Sequence, residues 1–345
     1  MRIVSISSGD TRVLDVSRML SMLGLVVALL TLTAPLPAIA QPAAKVQLVG
    51  FLGDKAADSN EILMWQTVRA GLREKGWIEG ETIRFEARWV EGNVGRLSEL
   101  AADLVRIKPD VIVTRGSLFT AALKAATSSI PIVFLGHSGP VETGHVASLA
   151  APGGNITGMA VLQTELGPKV LELLHATVPA ATQIAVLWHP DTPSAIPGLK
   201  ALEEPARRLG LQLQPIGART VKELEAAFST MVQRRAQAVL VLNTPPFVTE
   251  RQRIADLAIA HRLPTMMQGS QFVEAGCLMS YAHNYMDTWR GATVYVDKVL
   301  RGSNPATLPV EQVNKLELVI NLKTAKALGL TIPAEVLTRA DRVIR

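Results

Sequence analysis

Val146-Ala-Ser-Leu-Ala-Ala-Pro-Gly-Gly-Asn-Ile-Thr-Gly158 carries three glycines and a proline, and it lies between two halves of the chain that each read as strand, helix, strand. Glycine and proline at this density mark a chain reversal or a crossing with special backbone angles. The stretch reads as the first hinge strand joining two lobes. A surface turn inside one large domain fits the same residues, so the choice rests on the sequence on either side.

Upstream, Val46-Gln-Leu-Val-Gly-Phe-Leu52 is a short apolar strand that stops at Gly53-Asp54, as a buried parallel strand does where it enters a loop. Trp65, Val68 and Leu72 then fall at helical spacing, with Gly76 placed to end the helix in a left-handed cap. Ile83, Phe85, Ala87 and Trp89 alternate with charged residues, which predicts a strand with one wet face near a sheet edge. A helix stripe at Leu97, Leu100, Ala101, Leu104 and Val105 precedes the strand Val111-Ile-Val113, and Ile132-Val-Phe-Leu135 closes this half at Gly136-His137-Ser138. Repeated strand and helix imply a parallel sheet.

Downstream the pattern begins again, with apolar strands at Ile184-Ala-Val-Leu187 and Val239 to Leu242 and an alternating strand from Leu211 to Ile216. Ile83 to Val111 and Leu211 to Val239 span equal distances, and Ile130-Pro131 opens the last strand of one half as Leu263-Pro264 opens that of the other. These spacings predict an internal structural repeat. Past Gln268 the regularity breaks: Leu278-Met-Ser-Tyr281 reads as a second crossing, a helix ends at Gly302, and Leu316-Glu-Leu-Val-Ile320 reads as a third. Three crossings make a hinge that bends. The fold class expected is α/β, with two Rossmann-like lobes of parallel sheet and helices on both faces, joined by a three-strand hinge. Residues 41–157 plus 281–318 would form one lobe, and 158–280 plus 319–345 the other.

Composition limits the rest. The 345 residues are 48% hydrophobic and 4% aromatic, enough to fill two cores. The formal charge is +5; setting aside a leader holding Arg2, Arg12, Arg18, Asp10 and Asp15 leaves 32 basic against 28 acidic residues, with no basic stripe of the kind nucleic acids attract. The single cysteine, Cys277, excludes an intrachain disulfide, and no zinc spacing occurs, so neither a metal nor another cofactor is expected. Three arginines, an apolar run from Met19 to Leu36 and Ala38-Ile39-Ala40 make residues 1–40 a secretory signal peptide, cleaved after Ala40, with a membrane anchor as the competing reading. No cysteine follows the run to take a lipid. The mature chain is expected in the periplasm.

In an open parallel sheet the ligand crevice lies at the carboxyl ends of the strands. Two facing sheets would set Gly53, Asp54, Thr114, Gly116, Ser117, His137 and Ser138 opposite His189, Asp191, Asn243 and Gln268. Thr114-Arg-Gly-Ser117 is the strongest element, since Gly116 allows close backbone approach, Ser117 can cap the next helix, and free N–H groups there favour a carboxylate. Asp54 and Asp191 suit an ammonium group, which with that carboxylate describes an amino acid. Either aspartate equally suits the cap of its own following helix. His137 and His189 suit a hydrogen bond to ligand or an ordinary surface position. Asn155 and Thr157, in the crossing stretch, and Tyr281, near a strand end, complete the candidate ligand-binding set; Trp188 and Tyr281 suit ring stacking or a plug between lobes. There is no Gly-x-Ser-x-Gly elbow, no P-loop lysine and no Gly-x-Gly-x-x-Gly after the first strand, which argues against an enzyme, and no catalytic residue is assigned.

Several motifs together resemble one family. Asp110-Val-Ile-Val-Thr, Ile130-Pro-Ile-Val-Phe, the 146–158 stretch, Leu278-Met-Ser-Tyr, Leu308-Pro-Val-Glu-Gln and Asn321-Leu-Lys-Thr-Ala-Lys-Ala-Leu-Gly resemble the substrate-binding proteins of ABC transporters, within the group that includes tryptophan- and tyrosine-binding members. The resemblance runs from about Val46 to Ile344. It implies the periplasmic binding protein type I fold, no catalysis, and partnership with a membrane permease and a separate ATPase. The chain departs from the family pattern at Ser138-Gly-Pro-Val141, where Gly-Asp-Pro-Val is usual, and at Gly276-Cys-Leu-Met-Ser-Tyr-Ala282, where Gly-Gly-Leu-Met-Ser-Tyr-Gly is usual. The first departure removes a carboxylate from a predicted cleft loop.

The expected function is capture of a small, amino-acid-like ligand by hinge closure, in a monomer that binds no nucleic acid. Two other readings stay open from sequence: a ligand-loaded partner of a membrane sensor, and a secreted two-lobed enzyme.

Overall fold

The computed structural model describes residues 45–55 and 59–345; the expected signal peptide lies outside the described residues. The first sheet contains β1 (Gln47–Gly53), β2 (Ile83–Trp89), β3 (Val111–Arg115), β4 (Ile132–Ser138), β5 (Ile156–Val161) and β11 (Glu311–Val313), in the order β11-β5-β4-β3-β1-β2 with every neighbour parallel. The second contains β6 (Gln183–Trp188), β7 (Gln212–Gly217), β8 (Ala238–Val241), β9 (Thr265–Met267), β10 (Met279–His283), β12 (Leu316–Asn321) and β13 (Arg342–Ile344). Its order is β13-β12-β10-β9-β8-β6-β7, and only β10 and β12 run antiparallel. The succession β2-β1-β3-β4-β5 of one sheet recurs as β7-β6-β8-β9-β10 in the other, which is the repeat that the equal spacings predict. Both successions reverse direction beside their first strand, and such a switch point opens a crevice at the carboxyl ends.

Burial explains which apolar runs became which strands. β1 and β3 have helices on both faces and are apolar almost throughout, whereas β2 ends its sheet and leaves Arg84 and Glu86 exposed beside buried Ile83. Helices α1 (Ser59–Glu74), α2 (Leu97–Arg106) and α3 (Gly116–Ala126) cover the first sheet; α4 (Gly167–Thr177), α5 (Ala195–Arg208), α6 (Val221–Gln233) and α7 (Arg251–Ala260) cover the second. The predicted stripe on α2 is the buried one, through Leu97, Leu100, Ala101 and Leu104. Helix α8 (Tyr285–Leu300), distant in sequence, returns to the first sheet and sets fully buried Trp289 with Tyr295 on Val49, Phe51 and Val113. Truncating Trp289 to alanine would cost about 3–5 kcal/mol.

The passages between sheets lie a few residues from the expected places. The 146–158 stretch stays with the first sheet: residues 146–155 are a loop braced by 306–310, with Gly153 N donating to Ala306 O and Val310 N to Leu149 O, and Ile156 then enters β5. The chain leaves the first sheet after Val161, and by Leu166 it lies in the second core. It returns at Asn284, between β10 and α8, and passes back at Asn314–Lys315, between β11 and β12. Asn284 N donates to Lys315 O at 3.4 Å, tying the last two passages together. Sheet membership thus gives 46–161 and 285–313 to one lobe and 166–283 and 316–345 to the other. Each displaced limit falls where a crossing segment continues straight into an apolar sheet strand, so that no change of pattern marks the exit. Among the described residues no helix is long and apolar enough to cross a membrane.

Candidate functional site

The carboxyl ends of β3, β4, β5, β6, β8 and β9 converge on a chamber between the lobes. It consists of two adjoining cavities of about 20 Å³ each, which share Ser138, Gln163, Thr192, Ser194, Asn243 and Thr244. Arg115, Gly116, Ser117, Gly136, Pro245 and His283 complete one; Thr164, His189, Ala195, Gly198, Leu242 and Gln268 complete the other. Each cavity, in this closed arrangement, has room for about one or two water molecules.

Several polar contacts join the lobes here. Ser117 Oγ and Ser194 Oγ lie 2.9 Å apart, and Ser194 N donates to Ser117 Oγ at 3.2 Å. From the segment that connects the lobes, Gln163 O accepts from Gln268 Nε2 at 2.9 Å and Thr164 Oγ1 lies 3.1 Å from Ser138 Oγ. Gly116 permits the approach: its φ of +62° suits glycine, and a β-carbon there would meet the Pro245 ring at 3.2 Å. Beside the chamber the Thr249 hydroxyl donates to Asp54 Oδ2 across the lobes.

Behind Arg115 sits a buried acidic pair. Arg115 Nη1 is 3.6 Å from Glu61 Oε1, and Glu61 also accepts from the backbone N–H groups of Asp54 and Lys55 at 3.1 and 3.2 Å. Burial pushes the carboxyls of both Asp54 and Glu61 up, while Arg115 holds them down. Neither lines the chamber. His189 does, at 1% exposure, and its ring makes no side-chain hydrogen bond. Burial lowers its pKa, so the imidazole is neutral at neutral pH. Asn243 donates through Nδ2 to Gln268 O, leaving a buried Oδ1 without a partner.

Of the residues expected to bind ligand, Gly116, Ser117, Ser138, His189, Asn243 and Gln268 line the chamber together. The others lie elsewhere. Gly53 ends β1 against the Trp89 ring, and Thr114 donates to Leu52 O at 3.0 Å within the first sheet. His137 is fully buried, not a surface group: its Nε2 lies 2.5 Å from His145 Nδ1, and burial drives its pKa down to about 3. Asn155 donates to Thr127 O and Ile130 O, and Thr157 to Leu308 O, at the amino ends of the strands. Asp191 is exposed and pairs with Arg219 at 3.1 Å. Asp54 faces a separate pocket of about 220 Å³ between the lobes, and Tyr281 packs against the second core. The aspartates expected to hold an ammonium therefore stand apart from the chamber that holds the expected carboxylate end.

Sequence reasoning included Arg115 in Thr114–Ser117 but gave it no role, and it passed over Thr192, Ser194 and Thr244. A charged residue ending the otherwise apolar strand β3 was the available signal for Arg115. The others are small polar residues in strand-to-helix loops, indistinguishable there from ordinary turn residues. Among the described residues no group of His, Cys, Asp or Glu could hold a metal ion.

Two lobes of like topology, three connecting segments and a polar chamber at the facing carboxyl ends define the type I periplasmic binding fold. The model for ABC transporter substrate binding proteins matches residues 57–344, and the chain belongs to that family. It is 26% identical over 263 residues to a tyrosine-binding protein of Clostridioides difficile (strain R20291), covering 75% of this chain and 74% of that one. Among solved structures it resembles the ABC domain in complex with L-Trp from Streptococcus pneumonia, with TM-score 0.79 and 23% identity over 87% of this chain and 100% of that one. A ligand-free, open substrate-binding protein with adhesive properties from Clostridium difficile, also 23% identical, covers 87% and 99% with TM-score 0.58. At equal identity and near-equal coverage, the chain superposes better on the liganded relative than on the open one.

Proposed function

We propose that this chain is the extracytoplasmic solute-binding component of an ABC importer. It captures a small, polar, amino-acid-like ligand between its lobes and presents the closed form to a membrane permease, with ATP hydrolysis supplied by other chains. The observation that supports this most directly is the chamber itself. It is assembled from both lobes and bridged by Ser117–Ser194, with Asp54–Thr249 beside it, so a ligand enters only when the lobes part. Ligand stabilises the closed form to the extent that it binds that form better than the open one. The three short connections suit a hinge. Family membership and the better superposition on a liganded relative support the same reading.

The protein is then exported by its leader to the periplasm, works as a monomer, uses no cofactor and performs no catalysis. Thermal unfolding of the chain from Gln41 onward, against amino acids, small carboxylates, purines and sugars, tests the reading. A ligand at a hundredfold excess over its Kd stabilises the folded form by about 2.7 kcal/mol. A shift with one compound class, and no chemical change in that compound, is the expected result; consumption of the compound would instead make the protein an enzyme.

A further inference from the structure

The chamber has an electrostatic sign. Arg115 reaches it from the end of β3, and two helices begin at its wall from opposite lobes: α3 at Gly116 and α5 at Ala195. Neither Arg115 at the N-cap of α3 nor Ser194 at that of α5 makes a side-chain capping bond. The first-turn N–H groups of α3 carry the positive end of its dipole, which favours an anion, whereas in α5 Ala195 N donates to Thr192 O and Pro197 has no N–H to offer. Opposite stands buried His189, whose ring makes no side-chain hydrogen bond, in the same cavity as the unpartnered Oδ1 of Asn243. Among the described residues no Asp or Glu lines the chamber. Asp54 and Asp191 are engaged by Thr249 and Arg219 outside the lining. The lining has no Phe, Tyr or Trp, and its apolar part beyond glycines is Ala195, Leu242 and Pro245.

We propose that the ligand is a short-chain carboxylate bearing uncharged hydroxyl or oxo groups, a 2-hydroxy or 2-oxo acid, and not a zwitterionic aromatic amino acid. The carboxylate sits at Arg115, Ser117 and the start of α3, and the hydroxyl or oxo group faces His189 and Asn243. An ammonium group would enter a buried site whose lining offers a guanidinium and the start of α3 but no carboxylate, since Glu61 is already paired with Arg115 behind the lining, and such a site disfavours it. This identification rests on the binding-protein reading above and narrows its ligand.

The test uses matched acids that differ only at the 2-position: L-lactate with L-alanine, L-malate with L-aspartate, 3-phenyllactate with phenylalanine, and indole-3-lactate with tryptophan, together with pyruvate and 2-oxoglutarate. Calorimetric titration of the chain from Gln41 onward is expected to give binding by a short hydroxy or oxo acid, with its amino counterpart weaker by about 100-fold, the order set by an unpaired buried charge. Ser138→Asp, which places a carboxylate in both cavities, should weaken that acid by about 100-fold while the ligand-free Tm stays near wild type. If Ser138→Asp fails to fold, the double variant Glu61→Gln/Arg115→Gln, which removes both members of the buried ion pair and leaves Asp54 bonded to Thr249, should lose binding in its place. Tighter binding of any amino acid than of its hydroxy partner, or unaltered binding by the foldable variant, overturns the proposal and leaves the binding-protein reading standing. Silence of all these acids, with a response to a sugar or purine, also overturns the proposal alone. Silence of every compound in both panels removes support from the two together.

Discussion

Gly158 is where the fold is least tolerant of a side chain. It pairs with Phe134 where β5 lies against β4, and its φ is +145°. A β-carbon added there would stand 2.1 Å from the carbonyl oxygen of Phe134 and 2.8 Å from its nitrogen. Both obstacles are backbone in a central strand, so no rotamer change relieves them. Gly158→Ala therefore combines backbone strain of about 1–3 kcal/mol with overpacking of about 1–3 kcal/mol, for a loss of about 2–6 kcal/mol. In a chain of this size that is a fall in Tm of about 3–10 °C. The control is Gly154→Ala, four residues away, where an added β-carbon meets nothing within 4 Å; its effect should stay within about 1 kcal/mol. Urea or thermal unfolding of the two variants measures the difference. A Gly158→Ala protein within about 0.5 kcal/mol of wild type would refute the tight β4–β5 contact and the placement of the 146–158 stretch with it.

Ser117→Cys/Ser194→Cys should form a disulfide on mild oxidation, because the native oxygens are 2.9 Å apart and an S–S bond is about 2.05 Å; the oxidised protein should neither take up nor release ligand until reduced, and failure to cross-link would show that the lobes do not meet there. Cys277, buried and with its thiol pushed up to about 12, should react with thiol reagents only on unfolding, and rapid labelling of the native protein would contradict its position in the second core. Arg115→Ala leaves Glu61 buried without its partner and should cost about 3–5 kcal/mol, with Glu61→Gln in the same chain recovering part of the loss in a chemical unfolding titration. Burial lowers His137 to about 3 and His283 to about 4, well below the value of 6.5 in the unfolded chain. The unfolded chain therefore takes up more protons in acid; their contribution is complete above pH 6.5 and is lost as the pH falls through 6.5 toward 4 and 3, at about 1.4 kcal/mol per pH unit for each histidine. The raised carboxyls of Asp54 and Glu61 act in the opposite sense, so His137→Gln should flatten the slope of stability between pH 6.5 and 4, and an unchanged slope would rule His137 out as its source.

The two-lobed architecture was legible because parallel strands covered on both faces are almost purely apolar, while edge strands such as β2 alternate. The limits of the lobes were less legible. Ile156–Val161 is as apolar as any interior strand, and nothing in its residues tells that the chain leaves the sheet just after it. In the chamber, Gly116, Ser117, Asn243 and Gln268 could be read because strand ends are where ligands gather. His137 could not, since its partner is His145 and the pairing is a fact of tertiary burial. Asp54 and Asp191 were misplaced for a similar reason: both follow strands, but Thr249 and Arg219 engage them away from the chamber. Arg115 received no role because one charged residue ending an apolar strand looks like the start of a loop.

The claim on which the rest depends is that the lobes part and close around a ligand. Small-angle X-ray scattering of the chain from Gln41 onward, with and without the tightest-binding acid of the titration panel, tests it directly. A smaller radius of gyration on binding, with a loaded curve that matches the closed arrangement bridged by Ser117 and Ser194, is the expected result. Saturating ligand that leaves the scattering curve unchanged would contradict capture by hinge closure.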